Sequence, residues 1–74
     1  MNDDHAIITK VLHTRCIGYQ RNRRGGVDSV CEQVVQFADG TTGTVYEVAY
    51  HLANGYTRCG ELTRTKPHID TATP

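Results

Sequence analysis

The chain has 74 residues, and its eight basic and eight acidic side chains give a formal net charge of zero. A chain this short buries only about 60% of the surface that its unfolded form exposes, which predicts one domain with a thin core. The balanced charge argues against a strongly acidic nucleic-acid mimic and against a strongly basic, nonspecific nucleic-acid coat. We expect a single domain over residues 1–74, with an ordered core over 6–66 and tails over 1–5 and 67–74.

The charge is unevenly spread along the chain. Residues 10–24 hold five basic side chains and no acidic one, whereas residues 25–61 hold five acidic side chains and a single arginine. A chain polarised in this way suits a charged partner or self-association, because each charged face attracts its complement.

The sequence also bears on location. No stretch approaches the roughly 20 apolar residues that a membrane-spanning helix needs. The polar N-terminus lacks the basic start and apolar run of a signal peptide. We therefore expect a cytoplasmic protein with no membrane partner, in which Cys16, Cys31 and Cys59 are reduced by default.

The first half of the chain is typical of β-structure. The segment 6–19 is rich in β-branched residues and lacks proline, which predicts a long first strand. Its apolar alternation is imperfect, so either both faces are partly covered or a β-bulge, with Gly18 as a candidate position, shifts the register. A loop over 20–28, a second strand over 29–37 and a turn-rich connector over 38–43 follow.

The segment 44–54 decides the predicted fold class. Thr44 and Glu47 have the spacing of a helix capping box, in which each side chain bonds the other residue's backbone amide. One helical stripe follows, formed by Val45, Val48, Ala49 and Leu52. Asn54 and Gly55 then supply a C-terminal stop. We favour this helix over the rival interpretation, a third strand, which the β-branched and aromatic residues of the segment also support.

A last strand over 56–65 is ended by Pro67. The sequence therefore predicts an α+β fold in ββαβ order, a small antiparallel three-stranded sheet with one helix packed on a face. The alternative is an all-β protein, either a four-stranded meander or a small barrel.

The three cysteines give little indication of a metal site. Zinc ligands usually come in closely spaced pairs, but Cys16, Cys31 and Cys59 are separated by gaps of 15 and 28 residues. A site would have to gather all three, with a histidine such as His13 as the fourth ligand. We expect no metal, with Cys31 and Cys16 acting as small buried hydrophobic residues.

No catalytic motif is present in the sequence. The spacings of zinc proteases, of serine hydrolases and of phosphate-binding loops are absent, and the acidic residues are scattered singly. We therefore expect a protein that is not an enzyme and has no cofactor.

The most distinctive local feature is the arginine loop, residues 21–26. Its Arg21, Arg23 and Arg24 can fork onto carboxylates or phosphates, and Tyr19 at its base can add stacking on a nucleic-acid base. The plainer interpretation is a solvated hairpin loop whose arginines keep the protein in solution.

A second candidate surface is aromatic. On a helix, Tyr46 and Tyr50 are four residues apart and lie along one flank of the apolar stripe. Tyrosine is enriched at interface hot spots because it combines a large contact area with a polar tip. The rival interpretation is that both rings cover the edge of a thin core.

These features favour a non-enzymatic protein-binding module, whose partner is a host or viral protein with an acidic surface. Short chains of this kind are common on phages and mobile elements, where they often block a host enzyme or a defence complex, as anti-CRISPR proteins do. By analogy we expect an inhibitor or accessory protein. One alternative is a nucleic-acid-binding module that uses the arginine loop. The other is a homodimeric structural domain that pairs through its edge strands.

Overall fold

The fold is all-β, as seen in a computed structural model that describes residues 7–52 and 54–73. The five strands are β1 (Ile8–Arg21), β2 (Val27–Phe37), β3 (Thr42–His51), β4 (Thr57–Cys59) and β5 (Thr71–Ala72). They form one antiparallel sheet in the order β4-β3-β2-β1-β5. The first four strands are neighbours in both sequence and space, and β5 returns to pair with β1.

The predicted α+β fold in ββαβ order is wrong, because the segment expected to be a helix is β3. Its β-branched and aromatic residues pair with β2 along eight positions, from Ser29↔Ala49 to Gln36↔Thr42. Glu47 makes no capping box; its Oε1 instead accepts a hydrogen bond from Gln33 Nε2 across the strands at 3.0 Å. Cross-strand pairing has therefore overridden a local helix signal. Residue 53 of the predicted helix lies outside the described residues.

The alternative, an all-β protein, is correct in its class, and β1 to β4 follow one another as a meander, but its details differ from the observed sheet. It had four strands or a closed barrel, whereas the sheet has five strands and its two outer strands, β4 and β5, do not pair with each other. The last predicted strand, over 56–65, is reduced to three residues in β4 and one bridge between Tyr46 and Thr63.

Strand β1 is longer than its partner because it contains three β-bulges. Its 14 residues face the 11 residues of β2, with register shifts between Ile8 and Lys10, between Val11 and His13, and between Cys16 and Gly18. The predicted bulge next to Gly18 is confirmed. Each bulge adds one unpaired residue and increases the local twist of the strand.

The pairing register sorts side chains onto two faces of the sheet, because successive residues of a strand point to opposite sides. On one side, Cys16 lies opposite Cys31, and Cys31 lies opposite Glu47; we call this side the cysteine face. The other side, which we call the tyrosine face, carries Val30 opposite Val48 and, farther along β3, Tyr50.

A small apolar cluster lies on the cysteine face at the end of the sheet farthest from the arginine loop. It consists of Val35, Phe37 and Val45, with Ile8 packed against them. The Arg64 guanidinium carbon lies 4.5 Å from the centroid of the Phe37 ring, so a cation covers the aromatic member of the cluster. Burial of these residues removes apolar surface from water, which is the main driving force for folding in a domain this small.

The tyrosine face has a second buried point at Val30, which has no exposed surface. Gly18 lies opposite Val30 and is itself buried. A Cβ atom on Gly18 would lie 2.5 Å from Ile69 Cγ2 and 2.7 Å from the Thr71 carbonyl oxygen. A glycine is therefore required where the chain after β4 crosses β1.

The closing segment, residues 67–73, was predicted as a tail but contains β5. Thr71 and Ala72 pair with Tyr19 and Gly18, although the sequence predicts no strand beyond Pro67. The Asp70 Oδ2 atom accepts a hydrogen bond from the Arg21 backbone N–H at 2.8 Å. The other carboxylate oxygen, Oδ1, lies 2.7 Å from His68 Nε2. The predicted tail over 1–5 lies outside the described residues.

Within residues 7–52 and 54–73 there is no helix with the length and apolar character needed to cross a membrane.

Replacing Gly18 by alanine should destabilise the fold by about 1–3 kcal/mol, because the new methyl group forces the backbone of the closing segment away from β1. Gly26→Ala is the matched control, since its Cβ would come no closer than 3.4 Å to Asn22 Nδ2. Urea unfolding followed by circular dichroism measures both variants. Equal stability of the two variants would contradict the role assigned to Gly18.

Acid should loosen the closing segment through Asp70. The hydrogen bond from the Arg21 backbone N–H, and to a smaller extent the one with the His68 side chain, holds the pKa of the Asp70 carboxyl below its usual value. A carboxyl whose pKa is lower in the folded state stabilises the fold above its unfolded pKa of about 3.9, and this contribution is lost as the pH falls through the folded pKa. Asp70→Asn should therefore be less stable than the wild type at pH 7, and the difference should shrink below about pH 4. A difference that is constant from pH 7 to pH 3 in urea unfolding would contradict this assignment.

Candidate functional site

The arginine loop is a tight turn organised by Asn22. The Asn22 Oδ1 atom accepts hydrogen bonds from the backbone N–H groups of Arg24 and Gly26, each at 3.0 Å. The Asn22 backbone N–H donates to the Gly26 carbonyl oxygen at 3.0 Å, and Gly25 adopts a φ of 83°, which favours glycine. The loop therefore holds its arginines on a defined backbone.

Asn22 also ties the loop to the sheet. Its Nδ2 donates to Asp28 Oδ1 at 3.2 Å, and Asp28 is the buried charged residue of the described chain, with 6% of its surface exposed. A buried carboxylate is costly without a hydrogen-bond donor. The Asn22 side chain therefore donates a hydrogen bond to the buried Asp28 carboxylate and also accepts hydrogen bonds from two backbone amides of the loop.

The arginine loop forms one wall of a notch with a volume of about 460 Å³. The notch, which we call the arginine notch, is lined by Arg24, Tyr50, Leu52, Arg58, Cys59, Gly60 and Glu61. Tyr50 and Arg58 are direct partners in the pairing of β3 with β4. The Tyr50 ring lies close over Gly60, where a Cβ would be 2.9 Å from Tyr50 Cε2. The floor of the notch is therefore an aromatic ring, with one guanidinium from the loop and one from β4.

The charge of the notch is positive. Arg24 and Arg58 contribute two guanidinium groups, and Glu61 contributes one carboxylate. In the described part of the chain, the two ion pairs join Arg15 to Glu32 and His68 to Asp70, so the guanidiniums in the notch are not neutralised by a salt bridge. An arginine fork with free donors binds carboxylates and phosphates in a bidentate manner.

The structure joins parts of the two predicted surfaces and separates others. Arg24 of the arginine loop and Tyr50 of the predicted aromatic flank both line the notch. Arg23 is exposed in the same loop, and Arg21 ends β1 with its backbone N–H bound to Asp70. Neither Arg21 nor Arg23 lines the notch.

Tyr19 lies on the other side of the sheet. It faces Ser29 on the cysteine face, because the bulge between Cys16 and Gly18 shifts the alternation of β1. There, a hydrogen bond with the nearby Cys16 thiol raises the pKa of the Tyr19 phenol. Tyr19 is therefore not positioned to stack a ligand that is held by Arg24.

Tyr46 shares a face with Tyr50, but for a different reason than predicted. On a strand, residues two apart point to the same side, so the two rings follow each other along β3 rather than around a helix. Tyr46 is half-buried and exchanges two backbone hydrogen bonds with Thr63, at 2.7 and 2.9 Å. It supports the segment that runs past the notch and is not part of the notch lining.

The three cysteines and His13 do not converge on one point as a set of four ligands. Cys16 and Cys31 lie on the cysteine face, whereas His13 pairs with Val34 and points to the tyrosine face. Among the residues that the structure describes, no group of three or more histidine, cysteine, aspartate or glutamate side chains is arranged to hold a metal ion. All three thiols are free, and the expectation of burial is wrong for Cys16, which is exposed, while Cys31 is half-buried.

Arg58 and Glu61 are the charged notch residues that the sequence did not indicate. Both are isolated charges, without a neighbouring motif. The signal that identifies Arg58 is its pairing with Tyr50, and this pairing becomes visible only when residues 44–51 are read as a strand.

The alternative of a homodimer would need a free edge strand, and β1 provides one. Over most of its length β1 pairs with β2 alone, since β5 covers only Gly18 and Tyr19. Val11 and Leu12 are exposed along this edge. The three bulges interrupt the row of hydrogen-bonding groups that a second strand would use, as is common at edges that avoid pairing. The homodimer stays a prediction.

Comparison of the chain with known protein families, with curated proteins and with solved structures finds no match.

Replacing Asn22 by alanine should destabilise the fold by about 1–3 kcal/mol, because it removes the donor to a buried carboxylate as well as an acceptor of two amides. Asn54→Ala is the matched control, since Asn54 Oδ1 accepts a single hydrogen bond, from the exposed Tyr56 N–H at 3.1 Å. Urea unfolding should show the larger loss for Asn22→Ala. The same loss in both variants would contradict the structural role of Asn22.

Proposed function

We propose that the protein is a non-enzymatic binding module that engages an acidic surface of a partner protein through the arginine notch. The observation that carries this proposal is that Arg24 and Arg58, from distant parts of the sequence, line one notch together with the Tyr50 ring, and neither guanidinium is held in a salt bridge. A rigid aromatic ring beside arginines is the composition typical of interface hot spots.

The notch favours a carboxylate-bearing protein over nucleic acid. Affinity for nucleic acid grows with the number of phosphates that cations neutralise, and the notch has two arginines together with the acidic Glu61. Tyr19, the candidate stacking platform, lies on the other face of the sheet. A short acidic segment needs only one or two arginine forks and a ring to pack against.

The same proposal makes the protein an inhibitor or accessory protein of the kind that phages and mobile elements encode, acting in the cytoplasm on a host or viral protein. It acts by covering a functional surface of that protein. Support comes from the size of the domain and from a charged notch that suits docking, by analogy with other short inhibitory proteins.

A titration with a defined acidic ligand tests the notch. Hexaglutamate added to isotope-labelled protein at low salt should shift the amide resonances of Arg24, Tyr50 and Arg58 more than those of the rest of the sheet. The double variant Arg24→Ala/Arg58→Ala should bind about tenfold more weakly or worse, since a hydrogen bond to a charged group contributes about 1.5–3 kcal/mol and 1.4 kcal/mol is a tenfold change.

The matched control is Lys10→Ala/Lys66→Ala, which removes the same charge from positions outside the notch. The control should bind hexaglutamate as the wild type does. Equal weakening of both double variants would show nonspecific charge attraction and overturn the proposal. So would a single-stranded oligonucleotide that binds the notch more tightly than the peptide at the same salt concentration.

A further inference from the structure

Cys16 and Cys31 are direct partners across β1 and β2. In an antiparallel ladder, opposite residues alternate between hydrogen-bonded pairs and non-hydrogen-bonded pairs, and the second kind brings the Cα atoms to about 4.5 Å. A disulfide spans Cα atoms about 4.4–6.8 Å apart with short Cβ separations, so directly opposite cysteines are within its reach. The non-hydrogen-bonded kind of pair brings the two side chains closest together.

The hydrogen bonds at both ends of the ladder identify this pair as non-hydrogen-bonded. At the loop end, the Asn22 N–H donates to the Gly26 carbonyl, so these two residues are a hydrogen-bonded pair. The two kinds of pair alternate along the strands from that point. When the additional residue of the bulge before Gly18 is allowed for, Cys16 and Cys31 fall on a non-hydrogen-bonded pair. At the other end, the Ala38 N–H donates to the Ile7 carbonyl, and counting through the other two bulges gives the same result.

The outward groups of β1 agree with this assignment. The Cys16 carbonyl oxygen accepts a hydrogen bond from Thr73 Oγ1 at 2.9 Å, so it points toward the closing segment and away from β2. A non-hydrogen-bonded residue directs its carbonyl away from its partner strand in this way. The two side chains therefore stand on the same face at the closest spacing that a sheet offers.

We propose that Cys16 and Cys31 are a site of reversible oxidation, at which a hydroperoxide converts the two thiols into a disulfide that cross-links β1 and β2. Cys16 is exposed and meets the oxidant first. Its sulfur takes one oxygen from the hydroperoxide, giving a sulfenic acid and an alcohol, or water in the case of hydrogen peroxide. The Cys31 sulfur then attacks the Cys16 sulfur, the S–S bond forms, and the hydroxyl leaves as water with the Cys31 proton.

The environment of Cys31 fits the resolving role. Burial raises the pKa of the Cys31 thiol, and Cys16 and the Glu47 carboxylate raise it further, so Cys31 is protected from direct oxidation. Cys31 can still attack the oxidised Cys16 sulfur, because its fixed position beside Cys16 gives it a high effective concentration in that reaction.

Cys59 does not belong to this site. Cys59 lies on β4, where it pairs with Ala49 of β3, so that β3 lies between Cys59 and Cys31. After oxidation it is expected to remain the single free thiol, and this provides an internal reference for the experiment.

Hydrogen peroxide is added to the reduced full-length protein, which is then alkylated with iodoacetamide and analysed by intact mass and peptide mapping. The expected product is a monomer with one alkylated cysteine, Cys59, and a linked pair of peptides that contain Cys16 and Cys31. Dithiothreitol should restore three alkylated cysteines. The oxidised protein should also unfold at a higher urea concentration, since the cross-link constrains the unfolded chain.

Single variants separate this product from other reactions. Cys59→Ser protein should lose all alkylation after oxidation, whereas Cys16→Ser protein, changed at an exposed position, should form no internal cross-link. The Arg24→Ala/Arg58→Ala protein should cross-link as the wild type does, so the two proposals fail independently. Sulfinic or sulfonic acid at Cys16 without a cross-link, or dimers joined through Cys59 as the main product, would overturn the proposal.

Discussion

The central strand β2 hydrogen-bonds to β1 on one side and to β3 on the other, and the positions of the other strands follow from those two registers. Among the residues that the structure describes, it carries the two large hydrophobic side chains with no exposed surface, Val30 on the tyrosine face and Val35 on the cysteine face. A slip of one residue against either neighbour would exchange the faces and expose one of these valines. The same registers set Cys16 against Cys31, and they place β3 so that Tyr50 meets Arg58 on β4.

The first two strands could be predicted from the sequence because their residues are β-branched and their boundaries contain glycine. The third strand could not, since residues 44–54 carry a capping pattern, a helical stripe and a stop signal, all of them local. The competing information is not local: Val45 joins the apolar cluster, and Glu47 bonds Gln33 on β2. Strand preference depends on what the side chains pack against, and the sequence does not display those neighbours.

The candidate site was likewise predicted where it depends on local sequence and missed where it depends on contacts between distant residues. The arginine loop was predicted because its glycines, asparagine and arginines are contiguous. The notch was not, because Arg58 reaches it through the register of β3 with β4 and Glu61 through the path of the chain beyond β4. The bulge before Gly18 also moved Tyr19 to the cysteine face, since one additional residue inverts the alternation that a sequence reading assumes. Tyr19 and Arg24, which are close in sequence, therefore do not meet in one site, whereas Arg24 and Arg58, which are far apart in sequence, line the same notch.

The contact between β5 and β1 has a consequence for the order in which the sheet assembles. The hairpins that link β1 to β4 join strands close in sequence, and hairpins of this kind form within microseconds. Thr73 and Cys16, in contrast, are 57 positions apart, so the loop that their contact closes contains most of the 74-residue chain. Closing a long loop costs more entropy than closing a short one, and the interactions that repay it exist only when β1 is already in place. We therefore expect the closing segment to dock last during folding, after β1 has paired with β2.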